Sequence, residues 1–97
     1  MDLTYSCLTI LTNTEIETIV IKDNFLSGSI PRDFFNLKSL KAINFSRNNL
    51  SGFLSIRLGE LINLEELILK GNKIAGYIPA EISNLKKLKG NLIFSYR

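Results

Sequence analysis

The residues able to do chemistry set the first limits on this chain. Its 97 residues include no His and a single Cys, Cys7. That removes the imidazole base, the His/Cys metal cluster and the internal disulfide. There is no Gly-rich phosphate loop, no kinase catalytic-loop signature, and no Ser or Lys whose neighbours suggest activation. The expectation is a chain that is not an enzyme and uses no cofactor and no metal. Two Asn-x-Ser sequons, Asn44-Phe45-Ser46 and Asn49-Leu50-Ser51, are N-glycosylation acceptors if the chain enters the secretory pathway. What remains is binding chemistry. Lys22, Ser46 and Lys70, beside Asp23 and Arg47, make a small basic track suited to an acidic or carboxylate-bearing peptide, provided that the fold brings them side by side.

Composition narrows the class further. Twelve Lys plus Arg against nine Asp plus Glu leave a net charge of +3, with the signs interspersed, which argues against a nucleic-acid partner. A hydrophobic content of 45% is too high for a disordered chain. No run approaches the roughly 20 apolar residues that span a bilayer, so the segment is not expected to insert into a membrane. One small domain is all that the length allows. The opening MDLTYSCLTILTN carries an acid where a secretory signal needs positive charge. If the protein is exported, its signal is missing and the chain is a fragment.

The elements that would position these residues follow from internal repetition. Asn24, Asn48 and Asn72 recur at a step of 24. The apolar columns keep the same step: Ile16, Leu40, Leu64 and Leu88, then Ile19, Ile43 and Leu67, then Ile21, Phe45 and Leu69. Gly28, Gly52 and Gly76 share the register. The division expected is a partial or degenerate repeat over 1–15, three repeats over 16–39, 40–63 and 64–87, and a truncated fourth over 88–97. After Leu88 the phase slips by one, so Leu92 and Phe94 take the places of Ile43 and Phe45.

Within each unit, Ile19-Val20-Ile21, Ile43-Asn44-Phe45 and Leu67-Ile68-Leu69 alternate with the period of a short strand. Flanking residues should point inward and the middle one outward. Strands stacked in parallel about 4.8 Å apart close a core that no single repeat could bury, which makes the fold an α/β repeat solenoid. Asn24, Asn48 and Asn72 fall where the chain leaves the strand and are expected to form a buried structural ladder bonding successive coils. The three Gly supply freedom after that bend, and Pro31 and Pro79 fix φ in the return segment, which should hold short 3₁₀ or irregular turns. Ser55 stands where the middle repeat lacks its proline, so that turn should be less rigid.

The segments LSGSIPRDFFNLKSLKAINFSRNNLSG and LINLEELILKGNKIAGYIPAEISNLKKL resemble the plant-specific leucine-rich repeat, LxxLxxLxLxxNxLxGxIPxxLxxLxx. The resemblance runs from about Ile16 to Leu88. It implies a right-handed superhelix with a parallel sheet on the concave face and a second short sheet near the Gly-x-Ile-Pro element. It also implies the ectodomain of a plant receptor-like kinase or receptor-like protein, placed outside the plasma membrane or secreted, with any Ser/Thr kinase domain lying beyond this chain. The paired cysteines of the family's amino-terminal cap are absent.

Outward positions carry the functional expectation, since packing accounts for the columns. The concave residues expected to meet a ligand are Val20, Lys22, Asp23, Asn44, Ser46, Arg47, Ile68 and Lys70. Val20 and Ile68 are either contact residues or tolerated β-formers. Glu17, Lys41 and Glu65 are either a ladder that merely suits the sheet or part of the contact surface. Partners are then a protein or peptide ligand and a co-receptor. The alternatives are a polygalacturonase-inhibitor-like secreted protein, or a spacer segment of a longer array. Asn49 is a plausible sugar acceptor at a turn, whereas a glycan on Asn44 would stand in the concave sheet and argue against a ligand there. Uncapped ends, including Leu92 and Phe94, are expected to leave apolar surface for self-association.

Overall fold

The computed structural model describes residues 13–88 and 92–93. The expectations placed on Cys7 and Phe94 lie outside them. Four short strands form the main sheet: β1 (Thr18–Val20), β3 (Ala42–Asn44), β5 (Glu66–Ile68) and β6 (Leu92–Ile93). All neighbours are parallel, in the order β1-β3-β5-β6. Ile19 pairs with Ile43 and Ile43 with Leu67, one 24-residue step each, and Leu67 pairs with Leu92, a step longer by one.

The apolar columns explain the coil. Ile19, Ile43 and Leu67 are buried, as are Leu40, Leu64 and Leu88 and, two residues past Ile43 and Leu67, Phe45 and Leu69. Val20, Asn44 and Ile68, between these inward columns, face out, because successive side chains on a strand point to opposite sides. A second sheet, β2 (Ser27–Gly28) with β4 (Asn49–Leu50), is also parallel and is prolonged by a bridge from Phe53 to Ala75. At the second sheet and just past it the chain bends through Gly28, Gly52 and Gly76, whose φ values of 80°, 83° and 82° fall where a side chain would be strained.

The return segments are single 3₁₀ turns: η1 (Arg32–Asn36), η2 (Ile56–Glu60) and η3 (Ala80–Asn84). Pro31 and Pro79 enter η1 and η3 with φ near −60°. The middle entry differs from expectation. Ser55 adopts the same backbone, φ −71° and ψ 145°, and its hydroxyl accepts the N–H of Arg57 at 3.1 Å. A side-chain cap thus does there what the pyrrolidine ring does in its neighbours. Gly59 keeps η2 and η3 close, since a Cβ on it would approach the Glu81 carbonyl oxygen to 2.7 Å. Leu92 was expected to be exposed, yet it is half-buried and packed against the core, because β6 lies in register on β5.

Candidate functional site

Four residues past the ends of β1, β3 and β5 stand the carboxamides Asn24, Asn48 and Asn72. The Asn72 amide donates to the carbonyls of Phe45 at 2.8 Å and Leu69 at 3.0 Å, while its Oδ1 accepts the N–H of Leu50 at 3.0 Å. Asn48 repeats the pattern one coil earlier, donating to Ile21 and Phe45 and accepting from Leu26. Each side chain therefore ties two coils together. Asn24 departs from the expectation of a buried ladder. It is exposed, and among the described residues its amide bonds to Lys22 within its own turn. The stacking that half-buries Asn48 and buries Asn72 needs a coil on the preceding side, which for Asn24 falls outside the described residues.

The bend just before the ladder holds a feature that the repeat columns did not suggest. Asp23, Arg47 and Gly71 all have left-handed φ, 58°, 55° and 76°. Arg47 forms a two-pronged pair with the Asp23 carboxylate, through Nε and through Nη2, the latter at 2.8 Å. This side-chain bond lowers the pKa of Asp23 and raises that of Arg47. Gly71 is required where it stands: a Cβ there would come to 3.0 Å from both Cγ and N of Arg47. The signal was present in the sequence as an acid, a base and a glycine at one 24-residue spacing.

That pairing changes the basic track. Arg47 already has an internal carboxylate, and Ser46 is not on the surface at all, being only 2% exposed. β3 ends at Asn44, whose Oδ1 accepts the Ser46 N–H at 3.1 Å, and a serine is too short to reach past lysines on both sides. Lys22 and Lys70 are exposed, and among the described residues neither forms a salt bridge.

What the sheet does present is a row. Val20, Asn44, Ile68 and Ile93 stand side by side on β1, β3, β5 and β6, joined by strand register. Val20 is 54% and Ile93 44% exposed, and Asn44 and Ile68 are half-buried. Lys22 and Lys70 flank this row on the side toward the bend. Thr18, Ala42 and Glu66 flank it on the other, with Glu17, Lys41 and Glu65 beyond. Lys41 pairs with Glu17 at 3.3 Å. At about 4.8 Å per strand the row is about 14 Å long.

The outer face is tied by a separate ionic group that sequence reading missed. Glu60 accepts from Arg57 Nε at 3.0 Å and from Lys38 Nζ at 2.8 Å, and Arg57 also donates to the Asn36 side chain and the Arg32 carbonyl. Arg57 first, and Lys38 after it, bring the Glu60 pKa from 4.5 down to about 2. A carboxyl whose pKa is lowered by folding stabilises the fold above its unfolded pKa and ceases to do so as pH falls through the folded value. Asp23 acts in the same direction. The unfolding midpoint should therefore fall between about pH 4.5 and pH 2, and fall less in a Glu60→Gln variant. Urea titrations at a series of pH values check this, and identical pH profiles for the two proteins would remove Glu60 from the explanation.

Among the described residues there is no cluster of three or more His, Cys, Asp or Glu able to hold a metal ion. No helix among them is long and apolar enough to cross a membrane.

A family model described as "Leucine rich repeat" matches residues 14–74. No curated protein matches. Among solved structures, the plant peptide hormone receptor RGFR1 in complex with RGF2 is 45% identical at a TM-score of 0.76, covering 77% of this chain and 12% of that one. The PEPR1–AtPEP1 structure is 34% identical at a TM-score of 0.84, covering 91% and 12%. A chain of the BIR3–SERK2 complex from Arabidopsis thaliana is 34% identical at a TM-score of 0.72, covering 75% and 39%. The present sequence thus spans about an eighth of the length of the first two.

Proposed function

The chain belongs to the leucine-rich repeat family, and from that membership we propose that it is a peptide-binding segment of the extracellular ligand-sensing region of a plant receptor-like kinase or receptor-like protein. The observation that carries the proposal is the concave row of Val20, Asn44, Ile68 and Ile93, with two lysines along one side that no carboxylate of the described residues pairs. The ligand chemistry that fits is an extended peptide carrying branched apolar side chains with a carboxylate beside them. Its apolar groups would cover Val20 and Ile68 while its acid meets Lys22 or Lys70. Asn44 offers an amide to the peptide backbone between them.

The mechanism is surface complementarity. A row fixed by strand pairing loses little conformational entropy on binding, so a short peptide keeps more of its contact energy. The same physics limits this segment, since four strands make a small platform and a natural ligand would extend onto further coils. The two receptor–peptide complexes above support the reading, as does the presence of SERK2 in the third structure, which makes a second receptor chain a natural partner.

The test is calorimetric titration of the full-length protein with an acidic, aliphatic peptide. Exposed ion pairs are worth about 0.2–1 kcal/mol each and interface anchors more, so Val20→Ser, Lys22→Ala, Ile68→Ser and Lys70→Ala together are expected to weaken binding at least about tenfold. Unchanged affinity, with the fold intact, would make these coils a spacer within a longer array.

A further inference from the structure

On the extracellular placement proposed above, both sequons meet a glycosyltransferase, and the structure assigns Asn49, not Asn44, as the glycosylated residue, with its first sugar lying over the ring of Phe25. The two acceptor tripeptides share a buried middle residue and differ at the Asn and at the Ser. Asn44 is half-buried at the end of β3, between Val20 and Ile68 in the middle of the concave row, with its Oδ1 already accepting the Ser46 N–H; Phe45 is fully buried and Ser46 nearly so. In the second tripeptide Asn49 and Ser51 are both exposed and only Leu50 points inward. The backbone of this tripeptide is held extended, Asn49 N–H donating to the Leu26 carbonyl at 2.7 Å and Ser51 N–H to that of Gly28 at 3.0 Å. The acceptor amide and the hydroxyl two residues on therefore project from the same face.

The environment of Asn49 fits a sugar. Ser27 is its partner across the second sheet, and Phe25, two residues before Ser27, shares that face and is 83% exposed. The Asn49 N–H bond to the carbonyl of Leu26, the residue next to Phe25, keeps the two segments adjacent and brings the ring within reach of a side chain that carries a sugar. The apolar C–H face of an N-acetylhexosamine would cover the exposed part of this ring. In the modification itself, Nδ2 of Asn49 forms a bond to C1 of a lipid-linked oligosaccharide diphosphate. The C1–O bond breaks, the lipid diphosphate leaves with the electron pair, and the amide proton passes to a base of the transferase. The glycan then grows from the second sheet and leaves the concave row open.

The experiment uses the full-length protein exported from plant cells behind a secretion leader, with deglycosylation in isotope-labelled water to mark the occupied Asn by mass spectrometry. Label is expected on Asn49 and absent from Asn44, and it should vanish in Ser51→Ala but persist in Asn44→Gln. Proton resonances of the first sugar should be shifted upfield by the ring and return to ordinary positions in Phe25→Ala. Label on Asn44, or a bare Asn49 in exported protein, overturns the assignment. Sugar resonances indifferent to Phe25→Ala overturn the stacking. Because the leader removes export from the question, and peptide titration of the same material tests the concave row separately, failure of either reading leaves the other standing.

Discussion

Replacing Asn72 by Ala should destabilise the fold by about 3 kcal/mol, because each buried polar group left without its partner costs about 1–3 kcal/mol. The substitution strands the Leu50 N–H and the Leu69 carbonyl, while the Phe45 carbonyl keeps its bond from Asn48. Asn72 is 7% exposed, so water does not readily replace what is lost. Asn48, half-buried with the same bonding pattern, should cost about 2 kcal/mol by the same reasoning, and exposed Asn24 no more than about 0.5 kcal/mol. Asn72→Asp is nearly isosteric yet should be worse than Ala, since an ionised carboxylate only accepts and would face two carbonyls. Urea unfolding reads the series directly: with slopes of about 1–3 kcal/mol per molar, a 3 kcal/mol loss moves the midpoint by about 1 M or more. Three alanine variants of equal stability would mean that the carboxamides decorate the coil without tying it.

That gradient also marks where the sequence was legible. Ile19, Ile43 and Leu67, or Gly28, Gly52 and Gly76, recur because each coil must repeat the same burial and the same bend, so spacing alone located the sheet and the turns. Exposure was harder. Period-two alternation places Ser46 on the same outward face as Asn44, but the strand ends at Asn44 and a side-chain bond turns the next peptide, which buries Ser46. Nor does a column of Asp23, Arg47 and Gly71 announce that the arginine is claimed by the aspartate; only the left-handed bend brings guanidinium and carboxylate together. On the outer face, Glu60 gathers Arg57 from its own turn and Lys38 from the preceding coil, a combination of one local and one long-range contact that no single period reveals. Packing repeats along the chain, and so it can be read. Ionic contacts depend on which side chains happen to be long enough to meet, and they cannot be read that way.

Phe45→Ala is expected to be the costliest single change, about 4 kcal/mol, within the range of about 3–5 kcal/mol for Phe→Ala in cores. Phe45 is fully buried and meets Phe34 edge to face, ring centres 5.7 Å apart at 65°. That pairing adds about 0.5–1.5 kcal/mol beyond area burial. The cost should lie toward the upper end because the cavity has little freedom to collapse: the Phe45 carbonyl accepts from both Asn48 and Asn72, which hold the backbone in place while the ring is gone. Phe45→Leu, which copies Leu69 in the next coil, should lose only about 1.5 kcal/mol as the core repacks around a side chain of similar kind. Chemical unfolding of the two variants gives the comparison, and since small domains have about 5–15 kcal/mol in hand, the alanine variant would still fold but with a much reduced margin. The functional consequence follows from position. Asn44 and Ser46 flank Phe45, so a coil that sagged into the vacancy would break the fixed spacing of the concave row. An alanine variant losing less than about 2 kcal/mol would reveal such sagging, and with it a sheet too compliant to hold Val20, Asn44 and Ile68 in line for a peptide.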